Sequence, residues 1–268
     1  MNKPAEKESS EIADFYTVLG KILQKRSFKI EDICNQKDAV ESRILSEYGA
    51  IFLVNESVLP PPKCMFASAD EVNKFQEKAG IMRENIGGAE IELQPNAMRS
   101  LLTTCEAARL QGLEITPRGG TEAARRGFED TLRLWNSRFE PACVYWKEKG
   151  KLSDDQISKL KSLPIKQQVK EVLDLEKQEI YFNTFFNYTI LNSVAAPGTS
   201  QHLSMLAIDI SEFADETVRK ILREYGWFRT VKNDLPHFTF LGWKERDLND
   251  LGLKKVETKD GEFWLPNV

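Results

Sequence analysis

The chain contains two histidines, and each stands where a loop meets an apolar run. His202 follows Pro197-Gly198-Thr199-Ser200-Gln201 and leads into the stretch Met205 to Ile210, which carries Asp209. His237 follows Asp234-Leu235-Pro236 and opens Phe238 to Leu241. Rigid scaffolds commonly set working groups at such junctions. Two imidazoles and one carboxylate make a three-ligand zinc set with a fourth position left for water. Zinc lowers the pKa of that water from ~15.7 to about 7. His202, Asp209 and His237 are therefore the candidate metal ligands. Hydrolysis also needs a base near the water. Asp234, three residues before His237 and stiffened by Pro236, is the candidate.

These residues need a frame, and hydrophobic periodicity outlines one. Glu11 to Lys25 has helical spacing, with Ile12, Phe15, Leu19 and Ile22 on one face. Helices are also expected at Val40–Tyr48, Ala69–Ala79, Asn96–Gln111, Thr121–Arg138, Ala142–Lys149, Ser153–Leu163 and Lys166–Lys177. Gly112 should end the helix Asn96–Gln111 and Ser153 should cap the helix that it opens. Short strands are expected at Ala50–Val54, Cys64–Ala67, Glu90–Leu93 and Leu113–Thr116. The last ninety or so residues read as strands at Met205–Ile210, Trp227–Val231 and Phe238–Leu241, interrupted by a helix at Glu216–Tyr225. Helices first and short strands later predict an α+β fold with an antiparallel sheet. Residues 1–10 read as a flexible tail. Gly87-Gly88 reads as a turn and a boundary between an accessory region, 11–87, and a catalytic region, 88–268.

Composition narrows the function. The chain has 268 residues, a net charge of −4, 41% hydrophobic and 29% charged residues, which is ordinary for a globular protein. No basic face stands out, and Arg125-Arg126 is the tightest arginine pair, so nucleic-acid binding is not expected. No apolar run approaches the roughly 20 residues of a transmembrane helix. Met1 to Glu11 lacks the apolar core of a signal peptide, so either the protein works in the cytoplasm or a leader has been removed. Cys34, Cys64, Cys105 and Cys143 form no C-x-x-C pair. They read as buried free thiols, with a Cys105–Cys143 bridge between helices as the alternative. Among the aromatics, Trp135 reads as core, Tyr145 and Trp146 as partly exposed, and Phe182, Phe185, Phe186 and Tyr188 as wall or core. Gly119-Gly120 reads as a plain turn.

The two histidine segments together resemble the zinc D-Ala-D-Ala carboxypeptidases and dipeptidases related to VanY and VanX, M15-type metallopeptidases of the hedgehog/DD-peptidase fold. The first family motif is Ser-x-His, six residues, then Asp, with Ala two before the Asp. Here it is Ser200-Gln201-His202 with Ala207 and Asp209, preceded by Ala196-Pro197-Gly198. The second motif is an acid, two residues, then His and often an aromatic, here Asp234-Leu235-Pro236-His237-Phe238. Arg118 fits the place of the family's upstream arginine. The chain departs from the pattern at Met205, where a glycine is usual, at Asp234, where Glu is usual, at Pro236, where an aromatic is usual, and at Gly119, where Ser is common.

The resemblance implies that His202, Asp209 and His237 bind zinc and that Asp234 acts as general base and then as proton donor. It implies that Arg118 binds substrate and supports the oxyanion, and that Ser200 hydrogen-bonds the substrate. The implied substrate is a peptidoglycan stem peptide losing its terminal D-Ala, which would place the protein in the cell envelope or periplasm. Two other functions stay open: an L-Ala-D-Glu-type endopeptidase, and a zinc-bearing binding module without activity.

Overall fold

A computed structural model describes residues 12–259 and 261–268. The tail expected at 1–10 lies outside the described residues. In chain order the elements are α1 (Phe15–Lys25), α2 (Ile30–Ile33), α3 (Ala39–Tyr48), α4 (Ala69–Ala79), β1 (Met82–Ile86), β2 (Ala89–Leu93), α5 (Pro95–Arg109), α6 (Phe128–Glu148), α7 (Asp154–Ser162) and α8 (Ile165–Glu176). They continue with β3 (Ala207–Asp209), α9 (Glu216–Glu224), β4 (Trp227–Phe228), β5 (His237–Phe240), β6 (Leu253–Thr258) and β7 (Gly261–Pro266). Among the described residues the strands pair antiparallel, as two hairpins, β1–β2 and β6–β7, and a three-stranded sheet ordered β3-β5-β4. The architecture is α+β. Among the described residues no helix is long and apolar enough to cross a membrane.

Local signals account for many of the helix ends. Asp14, Asp38, Ser68, Ser153 and Asp215 cap α1, α3, α4, α7 and α9, each accepting from backbone N–H groups of the first turn. Pro95 starts α5, where its missing N–H costs nothing.

Several expected elements take another form. Residues 49–53 form a buried 3-10 helix rather than a strand, because every side chain of the apolar run finds core on all sides. Cys64–Ala67 and Leu113–Thr116 are irregular, and the second is followed by a single bridge, Pro117 to Ile210. The two helices expected at Thr121–Arg138 and Ala142–Lys149 are one helix, α6, which starts at Phe128 and runs through Pro141. A short 3-10 turn, Gly120–Ala123, precedes it. The Gly87-Gly88 turn joins β1 to β2, whose five residue pairs run from Met82–Leu93 to Ile86–Ala89. One core cluster contains side chains from Phe15 through Trp264, from both sides of that turn.

The expectation of free thiols holds for Cys105 and Cys143 and fails for the other two cysteines. Cys34 and Cys64 form a disulfide with a Cα–Cα distance of 5.4 Å. The backbone draws them together: Cys34 follows α2, and the Cys64 N–H donates to the Ile33 carbonyl at 2.9 Å. Cys105 and Cys143 are free, and burial pushes both thiols up to about 11, which keeps them protonated and unreactive.

Candidate metal centre

The sheet brings two of the expected ligands face to face. β3 and β5 are antiparallel, and Asp209 is the direct cross-strand partner of His237. Directly opposed residues project from the same face of the sheet. His202 comes from the other side, on the 3-10 turn Gln201–Ser204 that leads into β3. The lead-in depends on Gly198, which has φ +79°; a Cβ there would lie 2.1 Å from the Phe66 carbonyl oxygen. The Phe66 N–H donates to the Gly198 carbonyl at 2.9 Å, so the loop carrying His202 is tied to the segment ahead of α4. Met205 ends the turn with φ 56° and ψ 34°, a left-handed conformation that favours glycine. Here a fully buried methionine takes that conformation.

Three donor atoms converge. His202 Nε2 and His237 Nδ1 lie 3.0 Å apart, and each is 3.3 Å from Asp209 Oδ1. The two rings are 2% and 3% exposed, which leaves little room for bulk water to solvate the nitrogens.

The outer ring nitrogens are already engaged. His202 Nδ1 is 2.7 Å from the Ala124 carbonyl oxygen, which can only accept, so this nitrogen carries the proton. His237 Nε2 is 2.9 Å from Gln201 Oε1. The orientation of that amide follows from its other bonds. Gln201 Nε2 donates to the Tyr48 carbonyl at 3.0 Å, while Thr230 Oγ1 donates to Oε1 at 3.0 Å and Thr239 Oγ1 donates to it as well. His237 Nε2 therefore donates too. Two imidazole lone pairs and a carboxylate oxygen are left facing one another. Such a set is repulsive unless a cation joins it, and supporting carbonyls of this kind are the usual means of orienting metal-bound histidines. The trio is sterically able to hold one metal ion, and two nitrogens with one oxygen suit zinc.

The electrostatics favour a metal over a proton as that cation. Burial pushes His202 down to about 4, and the nearby Arg126 charge adds to the effect, so the ring is neutral at pH 7. Burial acts to raise the Asp209 carboxyl, and positive charge at the facing ring nitrogens, His202 first, draws it well below the usual carboxylate range. Its second oxygen, Oδ2, accepts from Arg126 Nη2 at 2.6 Å. Asp234 lines the same cleft, half-buried, and burial pushes its carboxyl up while the His237 ring opposes the shift.

Ser200 also lines that cleft. Arg118 reaches the trio only through its backbone, where its N–H donates to the Asp209 carbonyl at 2.8 Å. Its side chain is exposed, with the guanidinium 5.3 Å over the Phe213 ring. The arginine in contact with the Asp209 carboxylate is Arg126. Sequence reasoning noted Arg126 only as half of an arginine pair, and it gave no role to Gln201 or Ala124. Gln201 stands inside the first motif, next to His202, so its place was visible although its partners were not. Trp135 and Phe182 are core, whereas Phe185 is exposed and Tyr145 stacks on Phe186 with ring centroids 4.1 Å apart.

No protein-family model matches the chain, and no curated protein matches it. Solved structures similar to it include the vancomycin-resistance D,D-pentapeptidase VanY from a VanB-type cassette in complex with Zn(II), at 18% identity and a TM-score of 0.35, covering 62% of this chain and 82% of that one. Another is VanYB in complex with D-alanine-D-alanine, at 18% and 0.36, covering 62% and 81%. A third is the LdcB LD-carboxypeptidase, at 17% and 0.33, covering 59% and 64%.

Proposed function

We propose that the protein is a zinc-dependent peptidase that acts on peptidoglycan stem peptides and removes the terminal D-Ala. The observation that carries this reading is the convergence of His202 Nε2, His237 Nδ1 and Asp209 Oδ1, with both outer ring nitrogens committed to carbonyl oxygens. When bound, zinc supplies Lewis acidity, which acidifies water and polarises a carbonyl. Asp234 accepts the proton of the attacking water on its carboxylate and passes it to the amine that leaves. A raised carboxyl pKa suits that exchange, since the group must both take and give a proton. Arg126 holds Asp209 in place. Arg118 stands where the family pattern puts its substrate arginine, and its charge, like that of Arg126, reaches Asp234. Ser200 offers a hydroxyl to the substrate on the cleft wall. In this reading residues 88–268 carry the site, 11–87 pack against them, and the protein works in the cell envelope.

The test is mass spectrometry of defined pentapeptide muropeptides after incubation with the zinc-loaded protein, beside an Asp234→Ala variant. Loss of one terminal D-Ala with wild type alone is the expected result. An internal cut would reassign the activity to an endopeptidase. Intact substrate with both proteins, zinc being bound, would leave a binding module.

A further inference from the structure

The cleft continues beyond the metal trio along one face of α6. Thr131, Leu134 and Arg138 line it at helical spacing, with residues 191–195 forming the facing wall. Thr131 marks the end near the metal, where its Oγ1 accepts from the Gly198 N–H at 3.1 Å in the loop that leads to His202. Arg138 lies two turns further on, ~10 Å along the helix axis.

The partners of Arg138 are neutral. Its Nε donates to Ser193 Oγ and its Nη1 to Ser137 Oγ, both at 3.0 Å. Three nearby acidic residues pair with other cations: Glu122 and Asp130 with Arg133, and Glu140 with Lys161. Arg138 is half-buried, so its charge sits in the cleft wall with two hydroxyls fixing the guanidinium plane. A guanidinium held this way offers its remaining donors to a planar anion.

We propose that Arg138 is a specificity-determining residue that binds a carboxylate of the substrate, on the acyl side of the scissile bond. Extended peptide advances ~3.3 Å per residue, so the ~10 Å from Thr131 to Arg138 spans about three residues of the substrate's acyl side. This inference rests on the peptidase reading of the metal site. It adds that a substrate must bring a second negative group remote from its terminus, and that an amide at that position is a poorer substrate.

The experiment uses the zinc-loaded full chain and pairs of synthetic peptides ending in D-Ala-D-Ala that differ only by an acid or its amide two to four residues before the cut. Steady-state hydrolysis gives KM and kcat separately for wild type, Arg138→Gln and Arg138→Lys. For the acidic peptide, Arg138→Gln should raise KM about tenfold or more with kcat nearly unchanged, and Arg138→Lys should recover part of the loss. The amide peptide should not distinguish the three proteins. An acid-to-amide preference equal in wild type and Arg138→Gln would overturn the proposal. Should wild type cut neither peptide, the peptidase reading fails separately, and equilibrium titration with fluorescently labelled peptides decides the matter. Tighter binding of the acid that disappears in Arg138→Gln supports the carboxylate site, and equal affinities overturn it.

Discussion

His202 and His237 face each other with Nε2 and Nδ1 3.0 Å apart, and the opposite nitrogen of each ring is held by a carbonyl oxygen. Neither ring has a proton to give the other, so the contact is a socket for a cation. The Asp209 carboxylate completes it from the neighbouring strand.

Gln201 fixes the tautomer of His237, so it should govern metal affinity without being a ligand. Gln201→Leu keeps the approximate volume but removes the acceptor for His237 Nε2–H. The variant should bind zinc about 10–100-fold more weakly. Competition with a chelator of known affinity checks this. Wild-type affinity in the variant would mean that the outer bond does no positioning.

The convergence of His202, Asp209 and His237 was legible in the sequence because two short motifs carry them and because β3 and β5 are apolar runs. Gln201, Ala124 and Arg126 were not legible as partners. Ala124 acts through a backbone carbonyl, which no residue type announces. Arg126 reaches Asp209 across 83 positions of chain. The short apolar run at 50–54 reads as a strand, yet periodicity does not separate so short a run from a buried helical turn, the form that it takes. The Cys34–Cys64 pair depended on the contact between Ile33 and Cys64, which spacing alone does not reveal.

The disulfide should contribute stability away from the chemistry. It closes a loop of 30 residues, worth roughly 3–4 kcal/mol by loop-closure entropy. Reduction, or Cys34→Ser with Cys64→Ser, should lower the melting temperature and leave zinc stoichiometry at temperatures well below melting unchanged. Thermal melts with and without reductant, paired with metal analysis, check both parts. An unchanged melting temperature would contradict the first, and loss of zinc the second.

Glu176 should make stability depend on pH. It is 7% exposed at the end of α8, and its Oε1 accepts from the Ile190 N–H at 2.6 Å, at the start of the segment that walls the cleft. Burial pushes its carboxyl above the ordinary 4.5, against the pull of the Thr189 and Ile190 hydrogen bonds. A folded-state pKa above the unfolded one gives a contribution that is complete below the unfolded value and lost as pH rises through the folded value. Glu176→Gln keeps the acceptor and drops the charge. Its melting temperature relative to wild type should therefore rise between about pH 4 and about pH 7. A difference that stays constant with pH would contradict the assignment.

The most direct test of the central claim is metal content. Wild type, His202→Ala and His237→Ala would be incubated with zinc, dialysed against metal-free buffer and analysed by inductively coupled plasma mass spectrometry, with circular dichroism to confirm folding. The account predicts one tightly held zinc per wild-type chain and loss of that zinc in both folded variants. Stoichiometric zinc retained by either variant, or none held by wild type, would contradict it.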